Sequence, residues 1–247
     1  MKSLKVAKYN IEGSIKPVVI FYTVVLSLLL VMTGVIVIEE GSIRNSGIDV
    51  ATVIFLFIAG ISTFKESFYF SQANNISRKE YFKGIVMHAL PLAAVCSIMD
   101  IIINRLFNLM STCPSNYDMI YGTFSKLGFN TWVQSSDVAT LFKTFLFQFS
   151  LYTLMVLIGL FVGAMYYRCN KKLRVVISVL PIAIIMGINA IALSYPELQM
   201  RVIEVIDKIF GISTQNVYSA IITFLCCIFI VISILYLLIR RAVIKER

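Results

Sequence analysis

Apolar residues fall in long runs along this chain, separated by short polar interruptions. A helix needs about 20 mainly apolar residues to cross a bilayer. Residues 17–38, PVVIFYTVVLSLLLVMTGVIVI, supply that length without a charge. Further spans are predicted at about 50–70, 84–106, 141–167, 175–195 and 217–239. The second carries Lys65 and Glu66 near its end, followed by Phe68, Tyr69 and Phe70, rings suited to a membrane interface. Pro91 and Pro181 fall inside the third and fifth, where neighbouring helices can re-satisfy the freed backbone groups.

Two stretches have a different period. In 2–16, Leu4, Ala7, Ile11 and Ile15 recur at helical spacing beside a stripe of Lys5, Lys8, Glu12 and Lys16. That pattern fits an interfacial helix on the inner leaflet, against the plainer reading of a solvated basic terminus. In 201–210, Val202, Val205, Ile206, Ile209 and Phe210 share one broad face before Gly211, the mark of an amphipathic helix that lies at the outer interface or partly re-enters the bilayer. The expected fold is therefore an all-α polytopic membrane protein. It would be one domain over 1–247, with six spans, an amphipathic N-terminal helix and an amphipathic helix before the sixth span.

Composition agrees with the pattern: 59% of residues are hydrophobic and 14% charged, with a mean hydropathy of +0.87. An average soluble domain holds roughly 45–50% apolar and about 25% charged residues. Glu39 and Glu40 directly follow the first run, so no small-residue cleavage pattern marks it as a removable signal. The net charge of +9 reports topology rather than nucleic acid, because the basic residues flank apolar spans. Lys2, Lys5, Lys8 and Lys16 precede the first span; Lys65, Arg78, Lys79 and Lys83 lie between the second and third. Arg168, Lys171, Lys172 and Arg174 lie between the fourth and fifth, and Arg240, Arg241, Lys245 and Arg247 follow the sixth. These groups hold 16 of the 22 basic residues. Arg44, Arg105, Lys126, Lys143, Arg201 and Lys208 remain for the other face. Basic loops are retained on the cytoplasmic side, so both termini are expected in the cytoplasm, at the plasma membrane.

Charges within spans are functional candidates by default. Asp100 lies about 24 Å along the third span from Gly84, and Arg105 and Lys143 fall near the same outer level. A structural pairing of Asp100 with Lys143 or Arg105 is the first expectation, and a substrate-facing polar site the second. The single histidine, His88, has no partner at metal-ligand spacing. The five cysteines show no CxxC and imply no disulfide framework, and Cys226-Cys227 reads as small apolar packing. Trp132, Tyr117 and Tyr121 suit an outer interface, within a segment, 107–140, long enough to form a small cap. No clustered acid, base or metal set supports an enzyme.

The stretch 71–84, SQANNISRKEYFKG, is too polar for the bilayer. Asn75 or Ser77 can cap a short helix through Arg78, Lys79, Glu80, Tyr81 and Phe82. A docking element and a solvated hairpin both fit those residues. The run NISRKEYF resembles the loop between spans two and three of permease subunits in the type 2 ABC exporter family, where a Gly-Val-Ser-Arg-Lys-like sequence precedes an aromatic residue. The ending Leu237-Leu238-Ile239-Arg240-Arg241-Ala242 is similar to bacterial members too. This chain departs from the pattern at Asn74-Asn75-Ile76, where the family often has a glycine-containing turn. The resemblance implies a coupling helix, with Asn74, Asn75, Ile76, Ser77, Arg78 and Lys79 contacting a separate cytoplasmic ATPase. It also implies a homodimer or heterodimer with a related permease, and export of amphipathic substrates such as peptide toxins, antimicrobials or lipid-like compounds. Phenol-soluble modulin and lantibiotic exporters are the kind suggested. No GxxxxGK[ST] phosphate loop occurs in the chain, so no cofactor is expected here and ATP and Mg would be bound by the partner. The competing expectation is a stand-alone membrane immunity protein that binds a peptide toxin.

Overall fold

The computed structural model describes residues 2–38, 48–109, 112–124, 127 and 132–240. Arg44, Lys126, Arg241, Ala242, Lys245, Glu246 and Arg247 lie outside them. The chain is all-helical: α1 Lys2–Ile38, α2 Ile48–Ala73, α3 Arg78–Phe107, α4 Asn116–Tyr121, α5 Val138–Arg168, α6 Lys171–Ser194, α7 Pro196–Phe210 and α8 Val217–Arg240. Five of them, α1, α2, α3, α5 and α8, are long and apolar enough to cross a membrane. This is a membrane protein built of apolar helices. The remaining expected span, the fifth, corresponds to α6, a helix of 24 residues whose Lys171, Lys172 and Arg174 all fall in its first turn.

Helix directions follow from the bonds between neighbours. Ser3, Ser14 and Tyr22 of α1 meet Glu80, His88 and Asp100 of α3 in the same order, so these two helices run parallel. α2 and α5 run parallel to each other as well, since Gly159 abuts Phe57 and Gly60, Gly163 abuts Ile61 and Phe64, and Tyr167 meets Phe68, with glycine letting the backbones meet. A methyl group added at Gly159 would stand 2.2 Å from the Phe57 carbonyl oxygen, and one at Gly60 2.4 Å from that of Val156. Small residues at a close crossing are the usual device for packing helices in lipid, where apolar side chains gain little by leaving the solvent. α5 and α8 are parallel too: Phe147 packs on Phe224 near one end, and Arg168 donates to the Leu238 carbonyl near the other.

Three expectations are corrected. First, residues 2–16 form no separate helix lying on the leaflet; they are the first turns of α1, which continues through Pro17 for 37 residues, about 55 Å. They pack lengthwise on the start of α3, where a methyl group at Gly84 would lie 2.6 Å from Val6 Cβ. Second, of the apolar set expected to face lipid, Leu4, Ile11 and Ile15 are exposed but Ala7 is buried, with Ser3, Val6 and Asn10, on the face toward the protein. Third, no short helix stands alone in 71–84. Ser77 caps α3 by accepting from the Glu80 N–H, and the helix then runs unbroken from Arg78 to Phe107.

α6 differs from the rest. It touches the bundle through α7 and through two bonds to Tyr166, from Ser178 and Arg174. Among its described side chains none is buried.

Candidate functional site

Two places in the bundle concentrate polar groups. At one end the α2–α3 turn is tied to three other elements. The turn closes as a Schellman motif: Ile76 N donates to Ser71 O at 2.9 Å and Asn75 N to Gln72 O at 3.1 Å, with Asn75 at φ 51°. Asn tolerates this left-handed conformation better than most residues, so it does here what glycine does in similar turns. Ile76 tucks into the core while Asn74, Asn75, Ser77, Arg78 and Lys79 stay exposed. Lys2 Nζ donates to the Asn75 carbonyl at 3.4 Å, and Ser3 N, an otherwise unpaired donor in the first turn of α1, donates to Glu80 at 2.9 Å. Arg78 donates to the Arg240 carbonyl at 2.9 Å, meeting the negative end of α8. Beneath the turn lies a nest of rings, Phe64, Phe68, Tyr81 and Tyr167, with centroids 5.2 to 6.1 Å apart. The start of α1, the α2–α3 turn, the end of α5 and the end of α8 therefore share one end of the bundle, and that end is basic.

The second place is internal. Asp100 is fully buried and accepts from hydroxyls on three helices. Tyr22 of α1 donates to Oδ1 at 2.7 Å, Thr52 of α2 to the same oxygen at 3.1 Å, and Tyr152 of α5 to Oδ2. One carboxyl group on α3 thus joins four helices. The expected pairing of Asp100 with Arg105 or Lys143 is not formed. Five residues turn a helix by about 140°, so Arg105 leaves the Asp100 face; Lys143 lies nine residues before Tyr152, about 14 Å along α5. Arg105 Nε and Nη1 are buried without hydrogen-bond partners among the described residues. The tyrosine and threonine partners were hidden in the sequence because each stands alone in an apolar run.

Above Asp100 a polar layer closes the bundle's other end. Asn116 N donates to Asp49 at 2.6 Å, and Gln134 bridges Asn104 at 2.6 Å and Asp118 at 2.9 Å. Ser115 and Asp118 form a capping box on α4. Tyr121 donates to the Phe210 carbonyl at 2.7 Å, linking this cap to α7. Tyr117, Tyr121 and Trp132 are buried in the cap instead of lying bare at an interface. Burial pushes the Tyr121 hydroxyl up to about 12. Burial, with Asp49 and Asp118 nearby, pushes the Cys113 thiol up to about 11. Comparison of the chain with protein families, curated proteins and solved structures gives no match.

Proposed function

We propose that this chain is the permease subunit of an ATP-driven exporter of amphipathic compounds. Six helices, α1, α2, α3, α5, α6 and α8, cross the plasma membrane with both termini in the cytoplasm. One observation carries the reading: the exposed turn at 74–79 is not a slack loop but is bonded to α1 and α8 and continuous with α2 and α3. A push on Arg78 or Lys79 is thereby delivered to four helices at once. This is the mechanical property a docking element for a separate ATPase requires. The chain has no phosphate loop, so ATP and Mg belong to the partner, which would clamp and release beneath two permeases, either two copies of this chain or this chain and a relative. Substrate would pass between them as the membrane helices shift between two states that the ATPase binds with different strength.

The test is co-purification from detergent of the chain expressed with the ATPase encoded beside it. Arg78→Glu with Lys79→Glu should lose the ATPase while the permease elutes unchanged, and Lys79→Glu alone, which spares the Arg78–Arg240 bond, should weaken it. Failure of the native chain to associate with any neighbouring ATPase contradicts the exporter and favours the toxin-binding immunity protein.

A further inference from the structure

α1 and α2 part between two ring stacks. Tyr9 lies on Phe70 with centroids 3.9 Å apart, and Phe21 on Phe55 at 4.3 Å. The gap between the stacks is a cleft of about 420 Å³ floored by Leu92 of α3, a volume within the range of small-ligand sites. Small residues open it, Gly13 on one wall with Ala59 and Ser62 on the other, and Gly13 has empty space where a side chain would stand.

The chemistry of the walls narrows what fits. Three hydroxyls are already used by their own helices: Ser14 donates to the Asn10 carbonyl at 2.8 Å, Ser62 to Ile58 at 3.0 Å and Thr63 to Ala59 at 2.8 Å. The charged groups left open are two carboxylates. Glu66 has no ion pair among the described residues, and Glu12 faces only an exposed Lys8 at 3.7 Å, a pairing of little strength. Asn10 Nδ2 is buried with no acceptor. These groups lie toward the Tyr9–Phe70 stack, at the basic end of the bundle, while Val18, Phe55 and Leu92 line the deeper part. Two exposed carboxylates on the cleft wall are complemented by a cationic head, and the deep wall by an apolar stem.

We propose that this cleft holds one phospholipid with a primary ammonium head. The ammonium sits between Glu12 and Glu66, and the first methylenes run along Val18, Phe55 and Leu92. The inference needs only the membrane placement of α1 and α2 and stands apart from the ATPase reading.

Native mass spectrometry of the full chain, stripped of lipid in a neutral detergent, tests it with three probes: dioleoyl phosphatidylethanolamine, dioleoyl phosphatidylglycerol and dodecylamine. One phosphatidylethanolamine should stay bound. Gly13→Leu, which projects into open space and favours the helix, should abolish that adduct, while Gly13→Ala keeps it and reports a sound fold. Glu66→Gln should weaken it about tenfold, the scale of one lost charged hydrogen bond. Phosphatidylglycerol, drawn to the outer lysines, should be indifferent to both substitutions. Phosphatidylethanolamine binding that survives Gly13→Leu overturns the site. Loss of phosphatidylglycerol in parallel overturns the choice of head group, and dodecylamine displacing the lipid at equal concentration overturns the phospholipid.

Discussion

α3 and α6 are both long, largely apolar helices, of 30 and 24 residues, yet the bundle treats them in opposite ways. α3 buries Tyr81, Ile85, His88, Ala89, Ala93, Cys96, Ser97 and Asp100 against four neighbours. α6 leaves Val175, Val179, Leu180, Ile184, Met186 and Ile188 open. Apolarity cannot account for the difference, since both have it. What distinguishes α3 is a face whose small and polar residues meet other elements: Gly84 packs on Val6, His88 bonds Ser14, Asp100 bonds Tyr22 and Asn104 bonds Gln134, whereas Gly187 of α6 has nothing within 4 Å. In lipid, leucine gains little by moving from a chain of methylenes to another leucine, so hydrogen bonds and close backbone approach decide which helices mate.

Substitutions can break that contrast, and the largest effect is expected where backbones touch. Gly159→Leu would drive a side chain into the Phe57 carbonyl; overpacking on this scale costs about 1–3 kcal/mol or more, and monodisperse protein should be lost on size exclusion. Asp100→Ala comes next, stripping Tyr22, Thr52 and Tyr152 of their shared acceptor. Three buried hydroxyls at about 0.6 kcal/mol each in a membrane, with more for any left unpaired, place the loss near 2–3 kcal/mol. A lower melting temperature in detergent should register it, and substrate range should change less than membrane yield. Tyr152→Phe removes one of those bonds and should cost about 1 kcal/mol in the same assay. Gly187→Leu on α6 should change stability by less than about 0.5 kcal/mol. The cap gives the smallest signal. Because burial holds the Cys113 thiol near 11, its thiolate is scarce at pH 8, and folded protein should react with a water-soluble maleimide far more slowly there than unfolded protein. The rate should climb as pH approaches 11, the sign expected of a raised thiol pKa.

The same physics explains which parts of the sequence could be read. Long apolar runs locate helices whatever their neighbours, so the all-helical membrane fold was legible from 17–38 onward. Faces were not. Leu4, Ile11 and Ile15 form the apolar side of the first turns and stay exposed, but nothing in their spacing showed that Ser3, Val6, Ala7 and Asn10 would pack on the protein. Helix continuity was also hidden, because Pro17 and the polar start of α3 look like boundaries in sequence, while α1 and α3 run through them, bonded by Ser3–Glu80 and Ser14–His88. The turn at 74–77 was legible from its polarity, and its rigidity was not, since the Arg78–Arg240 bond joins residues far apart in the chain. Asp100 stood out as a charge in a span. Its partners did not, because Tyr22, Thr52 and Tyr152 are ordinary residues until the fold collects them.

The most direct test of the whole arrangement is sidedness. Asn74→Cys in the turn and Ser213→Cys after α7, each in a cysteine-free chain, can be exposed to a membrane-impermeant maleimide in intact cells and after permeabilisation; both positions are exposed. Six crossings with the basic end inside predict that position 213 labels in intact cells and position 74 only once the membrane is opened. Labelling of both from the same side would mean that α6 does not cross, and the reverse pattern would put the α2–α3 turn beyond the reach of any cytoplasmic ATPase.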